Sequence, residues 1–370
     1  MPHNRAVTLE FTAAIKRIPV YPAAGGYAHT GPLVRLASNE SPDPPLPEVI
    51  AAASAALEGV NRYPDPASAK LRGALADRYG VPAERIAVGN GSCDILLAAG
   101  EALLEPGAEV VYAWPAFSVY PHLAAASGAR AIQVPLDEHD RHDLDAMAAE
   151  ITVATRLVLI CNPNNPTSTS IGLAGIEAFL DRVPRHVCVI LDEAYCEFSL
   201  ELGDPNASLE LLRRWPNLVL LRTFSKVYGL AGLRVGYGLC ASDDFRIAVD
   251  QVRQPFYLSM AAQAAAVEAL RHQDDVERRV VHTVAARTEL TGGLRALGLW
   301  VADSDANFVW TRLGEADEDG LSEGKVVSGL RERGVLVRAG TALGREQALR
   351  VTVGTEAENR RFLAAIAELV

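Results

Sequence analysis

The sequence predicts an α/β protein with a mostly parallel, seven-stranded sheet sandwiched by helices, and with a smaller α+β domain. The first observation is a series of seven short apolar runs, typical of strands buried on both faces, at residues 86–88, 110–113, 131–134, 157–161, 187–191, 219–221 and 235–239. The second is that stretches of helical period separate most of these runs, as expected when helices cover a parallel sheet. The third is a change after Pro255 to long alanine-rich helices and then short strands.

The individual elements follow from these patterns in chain order. A proline-rich stretch at residues 38–47 predicts a loop before a helix at 48–59. Helical periodicity at 94–104 and 173–183 predicts two of the helices that cover the sheet. In the last third of the chain, the pattern predicts short strands of the second domain at 307–313, 335–338 and 349–353.

Composition and charge narrow the range of functions. The chain has 370 residues, 49% of them hydrophobic, and its 35 basic and 46 acidic side chains give a net charge of −11. Nucleic acids and anionic membranes bind basic surfaces, so this balance argues against both partners. No apolar run approaches the roughly 20 residues of a membrane span. The charged N-terminal segment argues against a signal peptide, and five cysteines without a CxxC pair indicate reduced thiols in a cytoplasmic protein.

Three predicted strands are followed by residues that suit ligand binding, and parallel sheets bind ligands at the carboxyl ends of their strands. G-N-G-S-C-D (89–94) leads into a helix whose backbone N–H groups suit a phosphate, with an ordinary loop as the alternative. N-P-N-N-P-T-S (162–168) offers amide donors on a backbone restricted by two prolines, or is a simple turn. D-E-A-Y (192–195) places Asp192 at the mouth of a buried strand, either as a functional carboxylate or as a helix N-cap.

A fourth segment, R-T-F-S-K-V-Y-G-L-A-G-L-R-V-G-Y (222–237), favours a functional lysine. Lys226 lies in a glycine-rich, otherwise apolar stretch beside Ser225, with Arg234 eight residues later. Together with the three preceding turns, this segment resembles the fold type I pyridoxal-phosphate aminotransferases, and within them the histidinol-phosphate aminotransferase group.

The resemblance extends from about Ser38 to the C-terminus and includes four motifs in the family's order. It implies a large domain that binds pyridoxal 5'-phosphate over residues 31–254. It also implies a discontinuous small domain formed by residues 1–30 and 255–370.

The same resemblance implies catalytic roles for three residues. Lys226 would carry the Schiff base to the cofactor and later transfer protons, for which its pKa must be lowered. Asp192 would pair with the pyridine nitrogen of the cofactor and keep it protonated. Tyr195, together with Asn165, would donate hydrogen bonds to the phenolate oxygen of the cofactor ring.

Other cofactor contacts are implied in the same way. Phe117, in W-P-A-F-S-V-Y, falls where the family stacks an aromatic ring on the cofactor, although a core phenylalanine is the alternative. Tyr63, in N-R-Y-P-D, matches a tyrosine that reaches the phosphate of the neighbouring subunit, which implies a homodimer. The cofactor phosphate would otherwise be held by Ser225, Arg234 and the backbone around Ser92 and Cys93.

Substrate anions require cations, and two arginines match positions that bind them in the family. Arg350 matches the residue that binds the substrate α-carboxylate or, in the histidinol-phosphate group, the substrate phosphate. Arg338 lies one strand earlier and is interpreted as its helper, with surface arginines as the alternative for both. Tyr21 is a further candidate for substrate contact or for simple packing. No metal is assigned, because His139 and His142 lie in a polar loop without a recognisable third ligand.

The chain departs from the family's pattern at two places. The family usually has an acidic pair where this chain has Cys93 and Asp94, which leaves backbone contacts at that turn but puts its side-chain roles in doubt. It usually has a glycine where this chain has Ser168, a change that we expect to be tolerated.

The resemblance implies an aminotransferase of histidine biosynthesis, which interconverts histidinol phosphate and imidazole-acetol phosphate with 2-oxoglutarate and glutamate as the second pair. An aromatic amino-acid aminotransferase shares the motifs, including Ser168, although G-N-G-S-C-D-I-L and the ending V-G-T-E-A-E-N favour the first group. A decarboxylase of a phosphorylated amino acid is a third alternative. A pyridoxal-phosphate-binding transcription regulator would need a DNA-binding domain before Ser38, and a nicotinamide-binding Rossmann protein would need an early GxGxxG motif. The sequence indicates neither.

Overall fold

The computed structural model describes residues 9–11, 13, 16, 18, 33–314 and 322–370 of the chain. Within them the strands are β1 (Val34–Arg35), β2 (Ile86–Gly89), β3 (Glu109–Trp114), β4 (Arg130–Pro135), β5 (Thr155–Cys161), β6 (Cys188–Asp192), β7 (Leu218–Thr223), β8 (Gly236–Cys240), β9 (Trp300–Val301), β10 (Phe308–Arg312), β11 (Val335–Leu336), β12 (Arg338–Ala339) and β13 (Ala348–Thr352). The α-helices are α1 (Pro47–Ala56), α2 (Ala69–Tyr79), α3 (Ser92–Leu103), α4 (Tyr120–Ser127), α5 (Leu144–Ala149), α6 (Leu173–Leu180), α7 (Asp243–Val252), α8 (Met260–Ala269), α9 (Gln273–Ala296), α10 (Glu323–Glu332) and α11 (Glu356–Ala367).

The seven strands predicted for the large sheet are confirmed. They form one sheet in the order β2-β8-β7-β6-β5-β3-β4. Every neighbouring pair is parallel except the two pairs that β8 forms with β2 and β7. The expectation of burial on both faces is wrong for β4, because this strand forms a sheet edge at which the covering helices leave most of its side chains in solvent.

Helices cover both faces of this sheet, as predicted. Successive residues of a strand point to opposite faces, so Leu157 and Leu159 of β5 lie in one hydrophobic core while Val158 and Ile160 lie in the other. The first core includes side chains of α3 and α4, and the second includes side chains of α2, α6 and α8. The parallel strands β5, β6 and β7 are therefore buried almost throughout, which is why they are apolar on both faces.

The small domain contains an antiparallel sheet in the order β12-β13-β10-β9, and a separate parallel pair of β1 with β11. The predicted strand at 335–338 is wrong as a single element. Its first half, β11, pairs with β1, whereas its second half, β12, pairs with β13. One continuous apolar run thus supplies two sheets, because its two halves have different partners.

Membership in the hydrophobic cores indicates where the chain passes from one domain to the other. Val34 and Leu36 pack in the core of the small domain, whereas Ala266 of α8 packs in a core of the large sheet. Helix α9 contacts both, since Val276 packs against the large core and Leu290 lies in the small one. We therefore propose that the chain passes between the domains after Leu36 and within α9, rather than at the boundaries expected from the resemblance.

A buried carboxylate in the loop after β4 joins the large domain to the small domain. Asp140 is fully buried and forms ion pairs with Arg345, at 2.6 Å, and Arg312, at 2.8 Å. Its second carboxylate oxygen accepts a hydrogen bond from Trp310 Nε1 at 3.2 Å. A buried carboxylate is stable only when it is paired and hydrogen-bonded, and these three partners all belong to the small domain.

Two further expectations concern the whole chain. All five cysteines lie in the described part of the chain, and each is a free thiol, as predicted. None of the helices described above combines the length and the apolar composition needed to cross a membrane.

A second buried ion pair lies beside the end of β7. Arg222 Nε donates to Glu193 Oε2 at 2.8 Å, and both side chains are almost completely buried. The remaining guanidinium nitrogens donate to Asn206 Oδ1 and to the carbonyl oxygen of Pro205, at 2.9 and 2.6 Å. The charge of Glu193 is therefore compensated by a single, fully hydrogen-bonded arginine.

Replacing Arg222 with leucine leaves the Glu193 carboxylate buried without this partner. We expect the free energy of unfolding to fall by about 3–5 kcal/mol, measured by urea denaturation followed by circular dichroism at one protein concentration. The matched control is Arg182→Leu, which removes a solvent-exposed ion pair with Asp145 and should cost less than about 1 kcal/mol. Equal losses in the two variants would contradict this account of Arg222.

Candidate active site

Most of the predicted site residues line one cavity of about 720 Å³. The cavity lies where the neighbouring parallel strands β5, β6 and β7 end, at Cys161, Asp192 and Thr223. The predicted residues along its wall are Ser92, Cys93, Phe117, Asn165, Asp192, Tyr195, Ser225, Lys226, Arg234, Arg338 and Arg350.

Two predicted residues are not among those that line this cavity. Tyr63 lies on the surface of the chain, with 78% of its area exposed, and stacks on Phe256 with ring centroids 4.5 Å apart. Tyr21 lies outside the described residues.

Lys226, just after β7, points its amine into the cavity. Its Nζ donates to the backbone oxygen of Asn39 at 3.0 Å and lies 5.4 Å from the centroid of the Tyr195 ring. Burial, aided by the positive charge of Arg350, lowers the pKa of Lys226 to about 7. The amine therefore has a substantial neutral fraction near neutral pH, and a neutral amine can attack a carbonyl or accept a proton.

Asp192, the last residue of β6, has a buried carboxylate that is held on both oxygens. Oδ2 accepts a hydrogen bond from Tyr120 Oη at 3.0 Å, and Oδ1 accepts one from the Ala194 backbone N–H at 3.3 Å. Asp192 is not a helix N-cap, because the next helical turn begins only after Tyr195. Burial raises the pKa of Asp192 to about 6, so a cationic partner in the cavity would stabilise its ionised form.

Tyr195 is held by Asn39, which follows β1, and Asn165 is held by Arg350 of the small domain. Tyr195 Oη accepts a hydrogen bond from Asn39 Nδ2 at 3.1 Å. Burial raises the pKa of Tyr195, so its hydroxyl stays protonated and retains a proton to donate. Asn165 Oδ1 accepts from Arg350 Nη1 at 2.6 Å, which leaves the side-chain amide free to act as a donor.

The two predicted substrate arginines lie directly opposite each other. Arg338 of β12 and Arg350 of β13 are cross-strand neighbours in an antiparallel pair, so their side chains are on the same face. Both line the cavity, with Arg350 buried and Arg338 half-buried. Two guanidinium groups therefore line the same part of the cavity, where they could bind an anionic group of a ligand.

A further part of the cavity suits a phosphate group. Helix α3 begins at Ser92, and its first N–H groups lie at the positive end of the helix dipole. Nearby, Arg234 Nη1 donates to Ser225 Oγ at 3.3 Å, so a guanidinium and a hydroxyl meet here. Gly91 suits this place, because its φ of 77° is a conformation that residues with a Cβ rarely adopt and a Cβ there would crowd the Arg234 guanidinium. These groups form a cradle that fits the phosphate of pyridoxal 5'-phosphate.

Phe117 lines the same cavity rather than belonging wholly to a core. It follows β3, and its ring packs edge-on against Tyr120 with centroids 5.8 Å apart and an interplanar angle of 86°. The Phe117 ring therefore reaches the cavity, where it could contact a planar ligand.

The structure accounts for both departures from the family's pattern. Cys93 lines the cavity with a neutral thiol, because burial raises its pKa, while Asp94 Oδ2 accepts from the Asn90 backbone N–H at 3.0 Å and stabilises the turn. Ser168 has a φ of 62°, the left-handed conformation that glycine adopts without strain. Its Oγ donates to the Thr167 carbonyl at 2.5 Å, which helps serine to occupy this position.

Two residues of the site were not predicted. Asn39 binds Lys226 and Tyr195, and its backbone N–H also donates to Thr352 Oγ1 of the small domain at 2.9 Å. Its only sequence signal is its place in S-N-E-S-P, which we interpreted as a loop. Tyr120 contacts Asp192 from the first turn of α4, and its spacing of three residues from Phe117 was the available signal.

The predicted absence of a metal site concerned His139 and His142. The described residues contain no group of three or more histidine, cysteine or acidic side chains that could hold a metal ion. His139 is exposed, and His142 is buried behind the turn at residues 162–168, where burial lowers its pKa to about 4 and keeps it neutral.

Comparison with known proteins relates the chain to one enzyme family. The family model for aminotransferase class I and II matches residues 31–366. The aromatic amino acid aminotransferase of Streptomyces coelicolor is 44% identical over 352 residues, which cover 95% of each chain. The histidinol-phosphate aminotransferase 2 of Ralstonia nicotianae is 44% identical over 334 residues, which cover 90% of this chain and 88% of the relative.

A solved structure with the same fold carries the expected cofactor. Histidinol-phosphate aminotransferase from Sinorhizobium meliloti, in complex with pyridoxal-5'-phosphate, matches this chain with a TM-score of 0.88 and 30% identity over 98% of each chain. This likeness confirms the predicted fold type I architecture. The chain therefore belongs to the class I and II aminotransferases and is a pyridoxal-phosphate-dependent aminotransferase.

Proposed function

We propose that this aminotransferase interconverts histidinol phosphate and imidazole-acetol phosphate, with 2-oxoglutarate and glutamate as the second pair. The observation that carries the proposal is the opposed pair of Arg338 and Arg350. A phosphate ester is a dianion at neutral pH and offers three acceptor oxygens, enough for two guanidinium groups. A single α-carboxylate needs only one bidentate arginine, so phenylalanine would make less use of the second one.

The cofactor would be held at its phosphate, its ring face, its ring oxygen and its ring nitrogen. We propose that the α3 turn, Ser225 and Arg234 bind its phosphate, and that Phe117 stacks on its ring. Tyr195 and Asn165 would donate to the ring oxygen, and Asp192 would face the ring nitrogen. When bound, pyridoxal 5'-phosphate supplies an electron sink for the electrons left at the substrate α-carbon.

Lys226 has two tasks in this proposal. Its neutral amine would be the group that holds the cofactor, and when free it would accept a proton from the substrate α-carbon and return one. The lowered pKa serves both tasks, since Nζ must be neutral to attack and must lose its proton readily. Asn39, whose carbonyl accepts from Nζ, orients the amine in the structure.

We also propose that the enzyme works as a homodimer to which Tyr63 contributes across the interface. Tyr63 and Phe256 stack on the surface, and Leu57 and Val60 nearby are 54% and 60% exposed. Gly59, between them in sequence, faces Met260 of α8, so these apolar groups belong to one region. Grouped apolar side chains on a surface mark interaction sites, which supports a partner subunit here.

The second candidate is an aromatic amino-acid aminotransferase. Relatives of that name reach the same 44% identity to this chain as the histidinol-phosphate aminotransferase does. The arginine pair supports the first candidate over the second, because a phosphate ester brings two negative charges to it and the α-carboxylate of phenylalanine brings one.

Replacing Lys226 with alanine should abolish turnover and covalent attachment of the cofactor. After reduction with borohydride, mass spectrometry should show one added cofactor per wild-type chain and none on the variant. The matched control is Lys325→Ala, an exposed lysine of α10 that does not line the cavity, which should retain both properties. Turnover by the Lys226→Ala protein would contradict the assignment of Lys226 as the lysine that binds the cofactor.

The substrate proposal predicts a preference for histidinol phosphate over phenylalanine in kcat/KM, with 2-oxoglutarate as the amino acceptor. Arg338→Gln should lower kcat/KM for histidinol phosphate about 100-fold, since charge-assisted hydrogen bonds to the phosphate are lost, and should affect phenylalanine much less. Steady-state kinetics with both substrates measure this. A wild-type preference for phenylalanine would instead favour the aromatic aminotransferase.

The pKa values predict how cofactor capture depends on pH. Lys226 reacts as the neutral amine, above about 7, and Asp192 is ionised above about 6, so both useful forms increase as pH rises. The rate of pyridoxal phosphate incorporation into cofactor-free protein should rise between pH 6 and 8 and then level off. The reaction of free pyridoxal phosphate with a model amine corrects for the pH dependence of the cofactor itself. A rate that still climbs toward pH 10.5, the ordinary lysine value, would show that the amine is not perturbed.

A further inference from the structure

We propose that Tyr120 is a positioning residue that directs the Asp192 carboxylate toward the ring nitrogen of the cofactor and stabilises its ionised form. The inference rests on the proposed pairing of Asp192 with that nitrogen. Tyr120 would affect the cofactor only by holding Asp192.

The hydrogen bond between the two side chains has a defined direction. Tyr120 is fully buried, and its Oη lies 3.0 Å from Asp192 Oδ2. Burial raises the pKa of Tyr120 well above its ordinary value, so the hydroxyl keeps its proton and can only donate to the carboxylate. A hydrogen bond donated to the charged form of an acid favours that form, and this bond opposes the effect of burial on Asp192.

The bond also fixes the orientation of the carboxylate. Tyr120 holds Oδ2 and the Ala194 N–H holds Oδ1, so rotation of the carboxylate plane would break at least one hydrogen bond. The phenol ring itself is held by edge-on contacts with Phe117 and Tyr112, each with centroids 5.8 Å apart. Tyr120 therefore contacts both Asp192, which would face the ring nitrogen of the cofactor, and Phe117, which would stack on the cofactor ring.

Packing alone explains the ring of Tyr120 but not its hydroxyl. Phenylalanine would fill nearly the same volume, and a buried hydroxyl destabilises the fold unless it is hydrogen-bonded. Asp192 is the side chain to which this hydroxyl donates. The hydroxyl therefore acts on the carboxylate of Asp192, which lines the cavity at the end of β6.

The test compares two ligands of the full-length protein freed of cofactor. The first is pyridoxamine phosphate, and the second is its 1-deaza analogue, in which carbon replaces the ring nitrogen. The wild type should bind pyridoxamine phosphate more tightly, because only this ligand offers a nitrogen to Asp192. In Tyr120→Phe, the Kd for pyridoxamine phosphate should rise about tenfold while the Kd for the analogue stays unchanged.

A matched control separates positioning from packing. Tyr112→Phe removes a neighbouring buried hydroxyl that accepts a hydrogen bond from Gln133 at 3.0 Å, and it should leave the Kd of both ligands unchanged. An equal rise in both Kd values for Tyr120→Phe, or no rise in either, would overturn the proposal.

Asp192→Ala distinguishes failure of this inference from failure of the proposed pairing. If Asp192→Ala leaves the discrimination between the two ligands intact, Asp192 does not pair with the ring nitrogen and both ideas fail. If the substitution of Asp192 abolishes the discrimination but Tyr120→Phe does not reduce the discrimination, Asp192 pairs with the ring nitrogen and the proposed role of Tyr120 is wrong. In the double variant, Tyr120→Phe should add no further loss of discrimination, because its effect passes through Asp192. An additional loss as large as in the single variant would contradict the proposal.

Discussion

The cost of removing ionised side chains from water determines how the centre of this protein is arranged. Asp192, Arg222 and Lys226 lie at the ends of strands or just beyond them, whereas Arg350 lies within β13, and all four are in largely buried positions. None can stay ionised there without a partner. Arg222 has a complete set of partners within the chain, whereas Asp192 and Lys226 have partial sets and shifted pKa values. Asp192 and Lys226, the two groups with incomplete compensation, both face the cavity.

This constraint reconciles the net charge of the chain with the chemistry of its site. The chain carries a net charge of −11, yet Lys226, Arg234, Arg338 and Arg350 all face the same cavity. Their mutual repulsion is part of the reason why the pKa of Lys226 is low, since Arg350 and Arg234 both disfavour a charged amine. A ligand with two anionic ends would relieve this repulsion in two places, at the α3 turn and at the arginine pair.

The parts that were predictable from sequence are those with a local pattern. The seven strands of the large sheet appear as apolar runs, and the turns after them supply Asp192, Asn165 and Lys226. The contributions of Asn39 and Tyr120 depend on contacts with residues 156 and 72 positions away, and no local pattern encodes such distances. The division of residues 335–338 between two sheets had the same origin, because strand partners are chosen by tertiary packing.

The buried carboxylate of Asp140 has a consequence for how the protein loses its structure. Its charge is neutralised by Arg312 and Arg345, which belong to the small domain, while its own loop belongs to the large domain. If the small domain separated on its own, it would leave an unpaired carboxylate in one half and two unpaired guanidinium groups in the other. Such a half-unfolded form is therefore unfavourable, and the two domains should melt as one cooperative unit despite their separate hydrophobic cores.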